Sequence, residues 1–297
     1  MPTISASKLG TEHYKELIQK NMPKLQMLPT VAMEALELVK VPECPVVEFA
    51  SIVERDVTLA SSMLRIANSP VYSPKREIST LREAVMRLGF RECKNLIMSS
   101  CVSTLTKKLS FEEEWIRDLL WRHSLYTAAI AHHLNQRFHC GFHGEEFTAG
   151  LLHDLGRFLF ASLFPKEFLS VDPLNFDERE NPEPIETEKH GISHTQFAEI
   201  FAEINNLPDE LTAVMKWHHQ PQNAGQYKKL VSLIAVADDM ANHFQREGDA
   251  ENYDGLNNPF VEGLRECKAS QELSRFDEFA ESLISEASDD MHSMNAI

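Results

Sequence analysis

Residues 147–164 read FTAGLLHDLGRFLFASLF. Leu, Phe and Ala recur there at helical spacing, and no alternation of apolar and polar residues over a strand length interrupts them, so the stretch reads as buried helix. It is also the most apolar part of the chain, yet His153, Asp154 and Arg157 break it, which excludes a bilayer span. A carboxylate set among Leu151, Leu152, Leu155 and Leu159 is costly unless a cation or hydrogen-bond donors receive it. Gly156, without a side chain, permits a neighbouring element to approach closely.

Working outward, the same period governs the rest of the chain. Leu59, Met63, Leu64 and Ala67 form one stripe; Leu81, Ala84, Val85 and Leu88 form another, with Gly89 placed as its C-terminal stop. Thr80 with Glu83, and Ser193 with Gln196, have the spacing of capping boxes. The expected fold is all-α, in three parts. Residues 1–106 form an N-terminal helical subdomain, with short helices from about residue 20 broken at Pro29, Pro42, Pro45, Pro70 and Pro74. Residues 107–246 form the histidine-bearing helical core, interrupted by an acidic, Pro-containing loop from Val171 to Glu188. Residues 247–297 form a loop and an acidic amphipathic helix, from about Pro259 to Ser288, that packs on the core.

The chain has 297 residues, 43% hydrophobic and 25% charged, with a formal charge of −16. That acidity argues against nucleic acid or an anionic membrane as a partner, since either needs a basic face. The five cysteines are scattered and never in a C-x-x-C pair, which is unlike a disulfide framework or a zinc ribbon. The start, MPTISASKLGTEHYKEL, has no basic segment followed by an apolar one. The expected compartment is the reduced cytoplasm.

Histidine placement points to chemistry. Eleven of the 13 histidines fall between His123 and His243. Val231, Ile234, Ala235 and Asp238 share one helix face, while Asp239 points about 100° away. Leu211, Val214, Met215 and His218 share another face, and His123 follows Leu119 and Leu120 on a further helix. Four helices thus aim His or Asp inward, as a buried site for divalent iron, manganese, zinc or nickel requires. The adjacent pair His153-Asp154 suits a carboxylate that reaches toward a second ion. His132, His133, His139 and His143 read as surface residues, and His190 is a fallback for His194.

The order His123 … His153-Asp154 … Asp238 resembles the H…HD…D signature of the HD superfamily of metal-dependent phosphohydrolases. Within it, the chain resembles the HDOD family over about residues 20–246. The phrases that carry the likeness are LPTVAMEALELV (28–39), ERDVTLASSMLRIANSPVYS (54–73), ISTLREAVMRLGF (78–90), GLLHDLGRFLF (150–160), HGISHTQFAEIFAEINNLPDELTAVMKWHHQP (190–221) and VSLIAVADDMAN (231–242). The resemblance implies an HD-like helical bundle with a metal quartet of His123, His153, Asp154 and Asp238. His194, His218 and His219 match the further ligands of the related HD-GYP phosphodiesterases, which implies two ions. Leu119 stands where those proteins carry Glu, which disfavours a third. Gln-Pro-Gln-Asn follows His219 in place of their Gly-Tyr-Pro stretch, so cyclic-di-GMP specificity is not implied.

The expected function is bacterial signal transduction by hydrolysis of a phosphoester, such as a nucleotide or cyclic dinucleotide. Asp154 would bridge the ions, and Arg157, with Lys216 or Lys189 as further candidates, would bind phosphate. The alternative is a non-catalytic HDOD module that binds a regulatory protein or a ligand. Asn68-Ser69-Pro70 reads as ordinary helix-stop chemistry or as a partner-facing surface.

Overall fold

The computed structural model describes residues 11–25, 28–39, 44–69, 72, 76–177 and 181–295. Among the described residues the regular structure is helical throughout, as the periodicity predicts. Four N-terminal helices, α1 (Thr11–Leu25), α2 (Thr30–Leu38), α3 (Val46–Val53) and α4 (Val57–Ala67), lead into the long α5 (Leu81–Lys108). Pro29 and Pro45 stand at the N-caps of α2 and α3, while Pro42, Pro70 and Pro74 lie outside the described residues. Thr80 caps α5 through the Glu83 amide, but the Glu83 carboxylate turns back to the Ser79 amide rather than to Thr80, so that box is half formed. Gly89 does not stop the helix. It bends it: with φ +85° and ψ 166° it breaks the helical path once, and the chain resumes helix immediately because the following face, from Cys93 to Leu105, has a core to enter.

The centre is built from α6 (Glu114–Phe138), α7 (Glu145–Leu152), α8 (Leu155–Leu163), α9 (Pro165–Val171), α10 (Glu183–His190), α11 (His194–Ile204), α12 (Asp209–Trp217) and α13 (Lys228–Glu247). α6, α7 and α13 pack on one another, α8 packs on α11, and α5 backs α7. One continuous apolar core runs from Tyr14 and Ile18 of α1 to Ile284 and Ala287 of α14 (Phe276–Asn295). Burial of such area contributes about 25 cal/mol per Å2 and is the main source of stability.

Two stretches differ from the expected outline. The acidic loop is shorter than 171–188, because α10 begins at Glu183 with Pro182 ahead of it and Pro184 in its first turn. Proline suits the first turn, where its missing N–H has no partner to lose. The C-terminal helix starts at Phe276 rather than near Pro259, and two short 3-10 turns, Val261–Glu266 and Ser270–Arg275, fill the interval. Gly263 explains part of this: a Cβ there would lie 2.4 Å from the Ser232 side chain, so the segment lies against α13 more closely than an α-helix with side chains would allow.

The fold also joins Cys140 to Cys267 in a disulfide, 127 residues apart in sequence. The scattered spacing gave no sign of it, since the pair is created by docking of the C-terminal turns on the end of α6. No helix of the described residues is long and apolar enough to cross a membrane.

Candidate metal centre

The opening stretch folds as two helices. α7 ends at Leu152 and α8 begins at Leu155, so His153 and Asp154 occupy the junction, where Asp154 adopts φ −101° and ψ 17°. In one continuous helix the two side chains would diverge by about 100°. The junction turns both into the same space. Gly156 makes room for this: a Cβ there would lie 2.0 Å from the His194 carbonyl oxygen, so α8 and the start of α11 touch backbone to side-chain-free backbone. Ser193 caps α11 with a complete capping box to Gln196, which fixes His194 at the first helical position. His218 is the C-cap of α12, and Asp238 sits inside α13.

All seven predicted ligand residues meet at one place. His123, His153 and Asp238 form one candidate metal-holding triad, and His194, His218 and His219 form another. In the first, His123 Nε2 lies 3.3 Å from His153 Nε2, and Asp238 Oδ1 lies 3.0 and 3.4 Å from the two rings. In the second, His194 Nε2 is 3.4 Å from His218 Nε2 and 3.2 Å from His219 Nε2. Donors bound tetrahedrally to one ion at about 2.0–2.1 Å stand about 3.3 Å apart. Asp154 lies between the triads. Its Oδ2 is 3.7 and 3.6 Å from His123 and His153, and its Oδ1 is 3.6 and 3.5 Å from His194 and His218. That Oδ1 is buried with no hydrogen-bond partner, the condition of an oxygen whose partner is a cation. The donor set and its spacing fit two divalent ions.

The rings are held so that Nε2 faces inward. His153 Nδ1 donates to the Gly150 carbonyl at 2.8 Å and His218 Nδ1 donates to the Val214 carbonyl at 3.1 Å. His194 Nδ1 pairs with the Glu186 carboxylate at 2.8 Å, and the His194 amide donates to the same group. Such outer partners set the tautomer and raise the ligand's basicity.

Electrostatics without metal follow from burial set against charge. Burial lowers His153 and His194, but Asp154 and Asp238 outweigh it at His153, and Glu186 outweighs it at His194, holding both at about 9. Burial lowers His123 despite Asp238, and burial with repulsion from His218 and His194 holds His219 well down. Burial would raise Asp154 and Asp238; the histidines around them, with Arg157 beside Asp154, keep both well below the usual carboxylate range. The cavity holds its carboxylates ionised and shares protons among imidazoles, which divalent cations would replace.

Other predicted residues have different surroundings. Arg157 is 4% exposed, with its guanidinium 2.8 Å from Asp154 Oδ2 and paired to both oxygens of Asp172. It is engaged by carboxylates rather than open to an arriving phosphate. Lys216 pairs with Glu199, and Lys189 donates to the Ser170 carbonyl. His190 is buried with its ring against Phe160 and belongs to neither triad. His132 and His133 are half-buried rather than surface residues, paired with Glu146 and Asp290, while His139 and His143 are exposed as read.

Two supporting residues, Asp172 and Glu186, escaped the sequence reading because both fall in the stretch taken as a solvated acidic loop. Pro182 and Pro184 ahead of Glu186 were the available signal that a helix starts there.

A cavity of about 630 Å3 opens onto His219 and Asp238. Its walls carry Asp239, Asp249, Glu251 and Asp254, and its Arg246 is held by the Phe176 carbonyl and Glu247. Phe176 covers the other side, with its ring 5.1 Å from that of His123.

Comparison with known proteins agrees with this architecture. The family model described as HDOD domain matches residues 25–221. An uncharacterized protein of Treponema pallidum (strain Nichols) is 22% identical over 221 residues, which span 74% of this chain and 42% of that protein. An HDOD domain protein of Geobacter sulfurreducens superposes with a TM-score of 0.68 at 23% identity, covering 94% of this chain and 98% of that one. A proposed metal-dependent phosphohydrolase of Shewanella amazonensis SB2B superposes with a TM-score of 0.59 at 20% identity, covering 94% and 100%. At these identities the likeness is one of fold.

Proposed function

The chain belongs to the HDOD family, and on that footing we propose that it is a metal-dependent phosphohydrolase of bacterial signal transduction, holding two divalent ions and hydrolysing a phosphoester. The observation that carries this reading is Asp154, with one oxygen toward each triad and Oδ1 without a hydrogen-bond partner. One ion would be held by His123, His153, Asp154 and Asp238, the other by Asp154, His194, His218 and His219. Imidazole and carboxylate donors suit iron, manganese, zinc or nickel. Ions held there supply Lewis acidity, making water nucleophilic near neutral pH and offsetting charge on the phosphoryl oxygens.

The surrounding residues prepare the site. Glu186 fixes the tautomer of His194, and Arg157 balances the charge of Asp154 and ties it to Asp172. His219 and Asp238, at the floor of the open cavity, are the ligands an entering substrate meets first. Carboxylates on the cavity wall favour a phosphoester of low net charge over a polyanion, so nucleotide monoesters and cyclic dinucleotides rank ahead of triphosphates. The similar Shewanella protein's proposed activity is of the same class.

A second reading, a regulatory module that binds metal and a protein or ligand without turnover, draws support from Arg157: closed off by Asp172, its guanidinium is not open to a phosphate. Hydrolysis of bis(4-nitrophenyl) phosphate by manganese-loaded protein separates the two. Turnover that Asp154→Asn abolishes is the expected result; full metal occupancy with no turnover, there and across nucleotides and cyclic dinucleotides, selects the second.

A further inference from the structure

Asn68 has a structural explanation. Its side chain donates to the Leu64 and Ile78 carbonyls, both at 2.9 Å, and accepts from the Ile78 amide at 2.8 Å, so it clamps the end of α4 to the segment leading into α5. Ser69 beside it does not. It is 1% exposed, and its hydroxyl has no hydrogen-bond partner. A buried hydroxyl left unpaired is costly, so something outside the protein is the natural partner.

That hydroxyl lines a cavity of about 70 Å3 at the seam between α4, α5, α6 and α7. Arg65 and Lys107 stand at its exposed rim, and neither has an ion-pair partner among the described residues. Burial, then repulsion from Arg65 and Arg117, lowers Lys107. The Ser103 hydroxyl adds a further donor, and Trp121 and Leu151 supply an apolar wall. A lining that combines cations, hydroxyls and an aromatic side chain suits an anionic group attached to a small apolar body.

We propose that this seam is a binding site for a small organic anion, distinct from the metal centre, in which Arg65 and Lys107 hold a phosphate or carboxylate group, Ser69 and Ser103 donate to it, and Trp121 packs on its apolar part. The site lies behind the metal centre: Trp121 precedes His123 by two residues on α6, and Leu151 precedes His153 by two at the end of α7. Its occupant therefore touches the two elements that position those ligands, which makes it an effector site rather than a substrate site. The inference is independent of whether the metal centre turns over.

The test uses the full chain in chelator, so that no metal competes for the probe, with phenylphosphonate as ligand and Trp fluorescence and calorimetry as readouts. Saturable binding is expected, weakened about tenfold or more in Arg65→Gln and in Lys107→Gln. Both positions are at the exposed rim, so these variants keep the fold, which their melting curves check. Ser69→Ala is expected to weaken binding several-fold, and saturating manganese to leave the Arg65→Gln effect in place. Equal affinity of the wild type and the Arg65→Gln/Lys107→Gln double variant overturns the proposal, as does equally tight binding of neutral benzyl alcohol.

Discussion

Asp154 and Glu186 illustrate how unequal neighbouring carboxylates are in this protein. Asp154 faces four imidazoles and a guanidinium and stands between the two triads, whereas Glu186 meets only His194, at its outer ring nitrogen and its backbone amide. Replacing Glu186 by Gln keeps the shape of the side chain and removes its charge. Metal affinity at the ion held by His194 is expected to fall by about 10–100-fold, with the ion at His123 and His153 bound as before. Competitive metal titration resolves the two, and equal loss at both would show that the sites are not separable in this way. At this scale His123, His153, Asp154, His218 and Asp238 stood out, because inward-facing His and Asp on four helices violate the apolar pattern around them, while His194 and His219 entered only through the family resemblance. Asp172 and Glu186 were not, because a carboxylate among many in a proline-rich acidic stretch carries no signal until the fold brings Arg157 and His194 to it.

At the scale of elements, the α7–α8 junction and the start of α11 decide whether the ligands meet. Gly156 was recognisable as a point of close approach, and the structure supplies its partner, the His194 carbonyl. Gly156→Ala forces α8 and α11 apart and is expected to cost about 1–3 kcal/mol in urea unfolding, with a parallel loss of metal affinity because His153, Asp154 and His194 move relative to one another. Unchanged metal affinity in a folded Gly156→Ala protein would contradict the role given to this contact. Helical period placed His123, His218 and Asp238 on helices, the structure's α6, the end of α12 and α13. It did not reveal the junction at His153-Asp154, since apolar residues continue across it at the same spacing, nor the 3-10 turns before Phe276, where close packing of Gly263 on Ser232 outweighs local pattern.

Across the whole molecule, the metal-free protein carries its site as a cluster of shared protons, and that governs its response to pH. His153 and His194 titrate at about 9 in the folded protein against 6.5 for the free side chain. A folded value above the unfolded one stabilises fully below 6.5, and that contribution is lost as pH rises through 9. Burial and the neighbouring Glu146 and Glu145 raise Glu92 to about 8, which acts in the same direction over the lower part of this range. Urea denaturation in chelator is therefore expected to give falling stability from pH 6.5 to 9.5, while affinity for manganese rises over the same interval as fewer protons need displacing. Flat or rising stability would mean that His153 and His194 are not held protonated by Asp154, Asp238 and Glu186. The charge of −16, read first as a reason to exclude nucleic acid, is thus divided: part is internal and faces the imidazoles, and part lines the approach to them.

The central claim is that one carboxylate joins two three-residue triads into a two-ion centre. Anomalous scattering from crystals grown with manganese, paired with metal analysis of the same protein, tests it most directly. The expected result is two peaks per chain, one at His123, His153 and Asp238 and one at His194, His218 and His219, with Asp154 between them and both lost in Asp154→Asn. A single peak, or none at full chelator-free loading, would contradict it.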